Sequence, residues 1–233
     1  MSKDMKIKIS ENGPYIVTGE IPLSVQEIVP ADDGGSEKWN QGKVYDVEET
    51  YALCRCGHSS HKPYCDGTHE KAGFTGEETA DRIPYEDSAK VYPGGTIELW
   101  DKENLCAVGR FCDRFGGVWD LAMSTDRQHP EREEMAVYEA VNCPAGRLMI
   151  KKGGEFIEPG LDPEIGLVHD LYYDKKGPLA VRGGIALESA DGTEYEKRNR
   201  MALCRCGNSS NMPFCDASHL RSANMDGLAD EEE

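Results

Sequence analysis

Nine cysteines divide into three groups of three. Cys54, Cys56 and Cys65 form the first, Cys106, Cys112 and Cys143 the second, and Cys204, Cys206 and Cys215 the third. A histidine follows each outer trio by four residues, at His69 and His219. An odd total of thiols at short, repeated spacings argues for metal rather than a closed set of disulfides. Each outer motif reads Cys-x-Cys-x8-Cys-x3-His. The single intervening residue brings the first two thiolates to the same side of an extended chain, as two ligands to one iron require. Cys65 and His69 are four apart, so both project from one face of a helical turn. Asp66 and Asp216 follow the last cysteine and are placed to cap that turn. Zinc is the alternative, because Cys3His is a known zinc set, although its sites usually space the first pair by two to four residues.

The elements that must position these ligands come from an internal repeat. Residues 52–69 (ALCRCGHSSHKPYCDGTH) and 202–219 (ALCRCGNSSNMPFCDASH) share twelve of eighteen positions. Upstream, residues 13–23 (GPYIVTGEIPL) resemble residues 177–187 (GPLAVRGGIAL), and both alternate as half-buried strands do. The unit is therefore a strand-rich module that ends in a metal-binding loop. Gly13 to Cys54 spans 41 positions and Gly177 to Cys204 spans 27. The extra length of the first copy holds Ala31–Ser36, a polar, glycine-rich surface loop. Between the copies, a Pro-Gly-Gly turn precedes a short strand ending at Trp100. A helix is expected from Pro130, with acids in its first turn and Met135, Tyr138 and Val141 facing inward, leading to Cys143-Pro144. The last ten residues carry five acids and read as a solvated tail.

Composition narrows the class. A chain of 233 residues with 38% hydrophobic and 30% charged residues is an ordinary globular balance. The formal net charge of −17 argues against nucleic acid or an anionic membrane as partner and favours a basic docking surface on a partner protein. No apolar run approaches the roughly 18 residues of a membrane span. No apolar core follows the first residues, so no secretory signal is expected, and the thiols point to a reducing cytoplasm. No Ser-His-Asp order, Walker loop or dinucleotide fingerprint is present.

The run from Cys54 to His69 resembles the CDGSH iron–sulfur domain, and the run from Cys204 to His219 resembles it again. The second departs at Ala217, where the family pattern has Gly. The resemblance implies a 2Fe–2S cluster in each copy, with Cys54 and Cys56 on the buried iron and Cys65 and His69 on the outer one. Cys204, Cys206, Cys215 and His219 take the same roles in the second copy. It also implies a small, mostly β module, and two such modules paired about a two-fold axis as an intramolecular pseudo-dimer.

The middle trio reads as Cys106-x5-Cys112 followed by Cys143-Pro144, with Gly109 where a bacterial ferredoxin would place a further ligand. Three thiolates suit a 3Fe–4S cluster, or a 4Fe–4S cluster with a non-cysteine fourth ligand; three unrelated core thiols are the alternative. Tyr92–Ile97, Leu105–Ala107 and Asn142–Gly146 resemble the divergent mono-cluster ferredoxin-like domain that accompanies CDGSH modules in some prokaryotic proteins. The expected architecture is α+β, with a first module over 1–80, a ferredoxin-like domain over 81–158, a second module over 159–223 and a tail over 224–233. Arg55 and Arg205, between ligating cysteines, either offset cluster charge or face solvent. The three tryptophans are expected to pack rather than conduct. The functional expectation is electron transfer by a monomer to a redox partner protein, a carrier rather than a catalyst. Cluster storage, transfer or redox sensing is the second reading and a zinc-stapled interaction module the third.

Overall fold

The computed structural model describes residues 4–221, and the expected acidic tail lies outside them. The fold is mixed α+β, mostly strands, in three sheets. In the first sheet, β1 (Lys6–Ile9) and β2 (Tyr15–Thr18) form a hairpin, and β5 (Thr50–Leu53) pairs with β2. Alternation sends Ile7, Ile9, Tyr15 and Val17 inward, where each is fully buried. In the second sheet, β10 (Glu164–Asp170), β11 (Lys175–Arg182) and β13 (Arg200–Leu203) repeat this antiparallel arrangement for the second copy.

The segments 13–23 and 177–187 are not single strands. Each breaks at a left-handed pair: Gly19 (φ 93) with Glu20 (φ 53), and Gly183 (φ 76) with Gly184 (φ 68). A Cβ at Gly183 would lie 2.5 Å from the Asp162 carbonyl carbon, so only glycine fits that bend. Beyond the break the chain leaves its own sheet. β3 (Leu23–Pro30) runs parallel to β10 in the second sheet, and β12 (Ala186–Glu188) runs parallel to β1 in the first. Each flanking segment thus contributes a strand to the other's sheet, and one apolar core spans both.

The loop over Ala31–Ser36 is not merely a polar surface turn. It is the tip of a hairpin between β3 and the long edge strand β4 (Ser36–Tyr45). Asp32 and Asp33 are exposed, but Ser36 is fully buried. Its amide donates to Arg110 O (3.1 Å) and its hydroxyl to Gly109 O (2.7 Å). Gly35 lets the backbones meet, since a Cβ there would lie 2.9 Å from Arg114 Cα. The added length of the first copy therefore grips the loop that carries Cys112.

The middle segment has its own antiparallel sheet of β6 (Lys90–Pro93), β7 (Glu98–Asp101), β8 (Leu148–Lys152) and β9 (Glu155–Ile157). A short helix, Val118–Met123, and the expected helix, Pro130–Val141, cover it. The inward face of the longer helix is Ala136, Glu139 and Ala140, not Met135, Tyr138 and Val141, which are half-buried. Small residues are required because the helix lies close against Leu99, Leu148 and Ile150. No helix among the described residues is long and apolar enough to cross a membrane.

Glu139 is an acid in that core. Its Oε1 accepts the Phe115 amide at 2.6 Å, while Oε2 has no partner among the described residues. Burial pushes its carboxyl from 4.5 up to about 7. The folded chain therefore holds this proton more tightly than the unfolded chain. Stability should fall as pH rises from 4.5 to about 7 and then level off. Glu139→Gln keeps the bond to Phe115 and should remove that slope. In denaturant titrations the variant is expected to exceed the parent above pH 7 and to match it near pH 4.

Candidate metal centres

The two outer loops are built bond for bond alike. The Cys54 amide donates to Pro63 O (2.9 Å) and the Cys204 amide to Pro213 O (2.8 Å). The Cys65 amide reaches Ala52 O (2.9 Å), and the Cys215 amide reaches Ala202 O (2.8 Å). Asp66 Oδ2 accepts the Ser60 amide and hydroxyl, and its Oδ1 accepts the Thr68 amide, capping the turn Thr68–Lys71. Asp216 does the same with Ser210 and Ser218. Burial works against the Asp216 carboxylate, but these donors outweigh it and hold its pKa at about 2.

Within each loop the ligands come as two pairs. Cys54 and Cys56 Sγ are 3.8 Å apart, and Cys65 Sγ is 3.4 Å from His69 Nδ1. The second site has Cys204 and Cys206 at 3.6 Å and Cys215 and His219 Nδ1 at 3.4 Å. Among the described residues no three His, Cys, Asp or Glu side chains are grouped to hold a single ion. Two pairs suit two irons better than one tetrahedral zinc. The Cys56 thiol and the amides near Ser59 and Gly57 stabilise a thiolate on Cys54, while the second proton of that pair is held tightly. Both thiols ionise together only where a cation takes up the charge.

Arg55 and Arg205 do not face solvent. They are 1% and 6% exposed. Arg55 donates to Gly13 O, Ser10 O and Gly76 O at 2.7–2.9 Å, and Arg205 to Gly177 O (2.6 Å) and Val168 O (3.2 Å). Each arginine ties the Cys-x-Cys segment to the Gly-Pro turn of its own copy. That both motifs recur, Cys-Arg-Cys with Gly-Pro upstream, was the available signal for this link.

The loops also touch each other. A Cβ on Gly57 would lie 2.5 Å from Cys206 O, and one on Gly207 would lie 2.3 Å from Cys56 O. Tyr15, on the first copy's β2, places its hydroxyl 2.8 Å from Cys204 O and 3.2 Å from Pro213 O. The surroundings differ, however. Cys65 and His69 are half-buried, whereas Cys215 is 2% and His219 5% exposed. Burial, with Arg205 nearby, pushes the His219 imidazole down to about 4.

The middle trio converges as well. Cys106, Cys112 and Cys143 line one cavity of about 260 Å³, with Arg110, Trp119, Pro144 and Arg147. Val108 and Arg110 take left-handed φ values of 54° and 56°, strained for a β-branched residue. Gly109 is where it is because a Cβ there would lie 2.7 Å from Pro144 Cδ. Asp101 grips Arg147 twice (2.6 and 2.8 Å), and the guanidinium lies near the Cys106 sulfur. Three thiols beside positive side chains on one cavity fit an anionic metal–sulfide cluster. Of the tryptophans, Trp39 stacks on Phe111 at 5.1 Å and Trp100 packs on Phe156 at 5.4 Å.

The two turns before the histidines differ in the residue that follows the aspartate. Gly67 takes φ 82 and Ala217 takes φ 66. Alanine is disfavoured there by about 1 kcal/mol, and a Cβ at Gly67 would meet nothing within 4 Å. Denaturant titrations should therefore show opposite signs. Ala217→Gly stabilises by about 1 kcal/mol and Gly67→Ala destabilises by a similar amount; unchanged midpoints would mean that the turns relax.

Two segments match the family described as iron-binding zinc finger CDGSH type, residues 12–70 and 176–220. They contain all eight candidate ligands of the outer loops and none of the middle three cysteines. No curated protein and no solved structure matches the chain. Modules of this type bind iron–sulfur clusters. Two segments of the chain thus match the CDGSH-type family model in tandem, around a central segment that the model leaves unmatched.

Proposed function

We propose that the chain is an electron-transfer protein holding two 2Fe–2S clusters and, in its middle segment, one three-cysteine 3Fe–4S or 4Fe–4S cluster. The observation that carries this reading is the grouping of the outer ligands into two pairs per site, beside three thiols around a single cavity. When bound, such clusters accept and return single electrons, at potentials set by ligand charge and burial. Cys54, Cys56, Cys204 and Cys206 hold the inner irons. Cys65 with His69, and Cys215 with His219, hold the outer ones. Cys106, Cys112 and Cys143 hold the middle cluster in a ferredoxin-like manner. Arg147 places positive charge at Cys106 and so favours the reduced state there.

The crossed strands β3 and β12 and the reciprocal glycine contacts support reading the two modules as an intramolecular pseudo-dimer. One chain would then suffice, as a monomer. The net charge of −17 supports a redox partner with a basic face. Cluster donation is the second reading, favoured by the half-buried Cys65 and His69 of the first site.

Iron and sulfide analysis of anaerobically purified protein should give about seven or eight irons per chain. Cys106→Ser, Cys112→Ser and Cys143→Ser should each abolish the middle cluster's paramagnetic signal and leave the 2Fe–2S spectrum intact. Colourless protein with zinc would overturn the reading. Three silent middle substitutions would remove the third cluster from it. Electron exchange with a ferredoxin reductase that outpaces cluster transfer to an apo-ferredoxin separates carrier from donor.

A further inference from the structure

Resting on that reading, we infer that the two outer sites are not equivalent. The first is the port at which partners meet the chain, and the second is sealed by the chain itself. The loop tips are alike, with His58 and Ser60 exposed in the first and Asn208 and Ser210 in the second, but at the first site the His61 side chain is 73% exposed and Cys65 and His69 are half-buried. Over the second, the segment linking the first module to the middle lies across the loop. The amides of Thr79 and Ala80 both donate to Met212 O at 2.8 Å. The Thr79 hydroxyl donates to Ser210 O (2.8 Å) and accepts the Met212 amide (3.0 Å). From the other side, Asn211 Nδ2 donates to Asn104 O at 2.7 Å, two residues before Cys106. Leu105 and Ala107 share one core with Cys215.

The sequence difference between the loops falls where this seal is made. Asn211 and Met212 stand where the first loop has His61 and Lys62. Met212 is 4% exposed and packs with Cys204, Cys206 and Phe74, whereas Lys62 turns its ammonium back to Ser59 O at 2.9 Å. A solvent-borne chelator or acceptor reaches the second site's Cys215 and His219 only after the strap opens. Local opening carries its own free energy, which slows access. Part of the seal is also a contact with the middle segment, at Asn104.

The test is iron release from the loaded full chain to a ferrous chelator under anaerobic reducing conditions, followed by 2Fe–2S absorbance. The parent should decay in two phases of similar amplitude, with rates separated by at least about ten-fold. Cys215→Ser should keep only the fast phase and Cys65→Ser only the slow one. Thr79→Val removes the two hydroxyl bonds of the strap and should speed the slow phase alone. Asn211→Ala is a milder second variant, expected to act the same way. Equal rates at both sites, or a slow phase that persists in Cys215→Ser, overturn the inference and leave the two-cluster reading standing. A parent without 2Fe–2S absorption overturns both.

Discussion

The contact on which the rest depends is the meeting of two bare backbones. Gly57 (φ 80) and Gly207 (φ 79) each lie against the carbonyl of the other loop's second cysteine, too close for any Cβ. Once the Cys-x-Cys segments abut, the chain on either side is constrained. The preceding strands must converge, and β3 and β12 cross into opposite sheets to cover them. The intervening arginines cannot reach water, so Arg55 and Arg205 turn inward to carbonyls of the Gly-Pro turns. A buried guanidinium is tolerated only when its donors are satisfied and negative charge is near. Cysteines supply that charge where they ionise. Arg205 is affected by Cys54 of the other copy as well as by its own Cys206 and Cys215.

The repeat is close in its bonding and unequal in its surroundings. The loops share their amide and Asp contacts almost to the tenth of an ångström. What differs is what packs on the loops. The Tyr15 hydroxyl bonds the second loop, the linker near Thr79 crosses that loop, and the middle segment packs beside Cys215. Burial of that kind changes the accessibility and the electrostatics of a site without altering its ligands. A duplicated motif thereby acquires two environments in one chain.

Much of the site was legible in the sequence, because metal ligands must be particular residue types at particular spacings. All three cysteine groups were readable; in space the outer ones form the pairs Cys54–Cys56 and Cys204–Cys206, with Cys65 and Cys215 beside their histidines, and the middle three line one cavity. The Asp caps and the helix from Pro130 were readable for the same local reason. Long-range consequences were not. Nothing near Gly19 distinguishes a bulge from a strand that leaves its sheet, since the partner β10 lies about 140 residues away. The buried role of Ser36 depends on Gly109 and Arg110 in a different segment. The helix face was misjudged by side-chain bulk: a close approach to a sheet favours Ala136 and Ala140 over Met135 and Tyr138. The sequence left open whether the arginines between cysteines offset cluster charge or face solvent, because satisfied burial depends on carbonyls whose positions only the fold defines.

The central claim is that the two cysteine loops form one structural unit, and a methyl group tests it most directly. In a Cys65→Ser background only the second site can hold a complete ligand set. Gly57→Ala is then introduced into the first loop, where its Cβ would press on Cys206 O. The measurement is the occupancy and visible circular dichroism of the second site's cluster. The account predicts a clear loss of occupancy or a shifted spectrum there, although every ligand of that site is untouched. An unchanged second-site spectrum at full occupancy, in a folded chain, would contradict it.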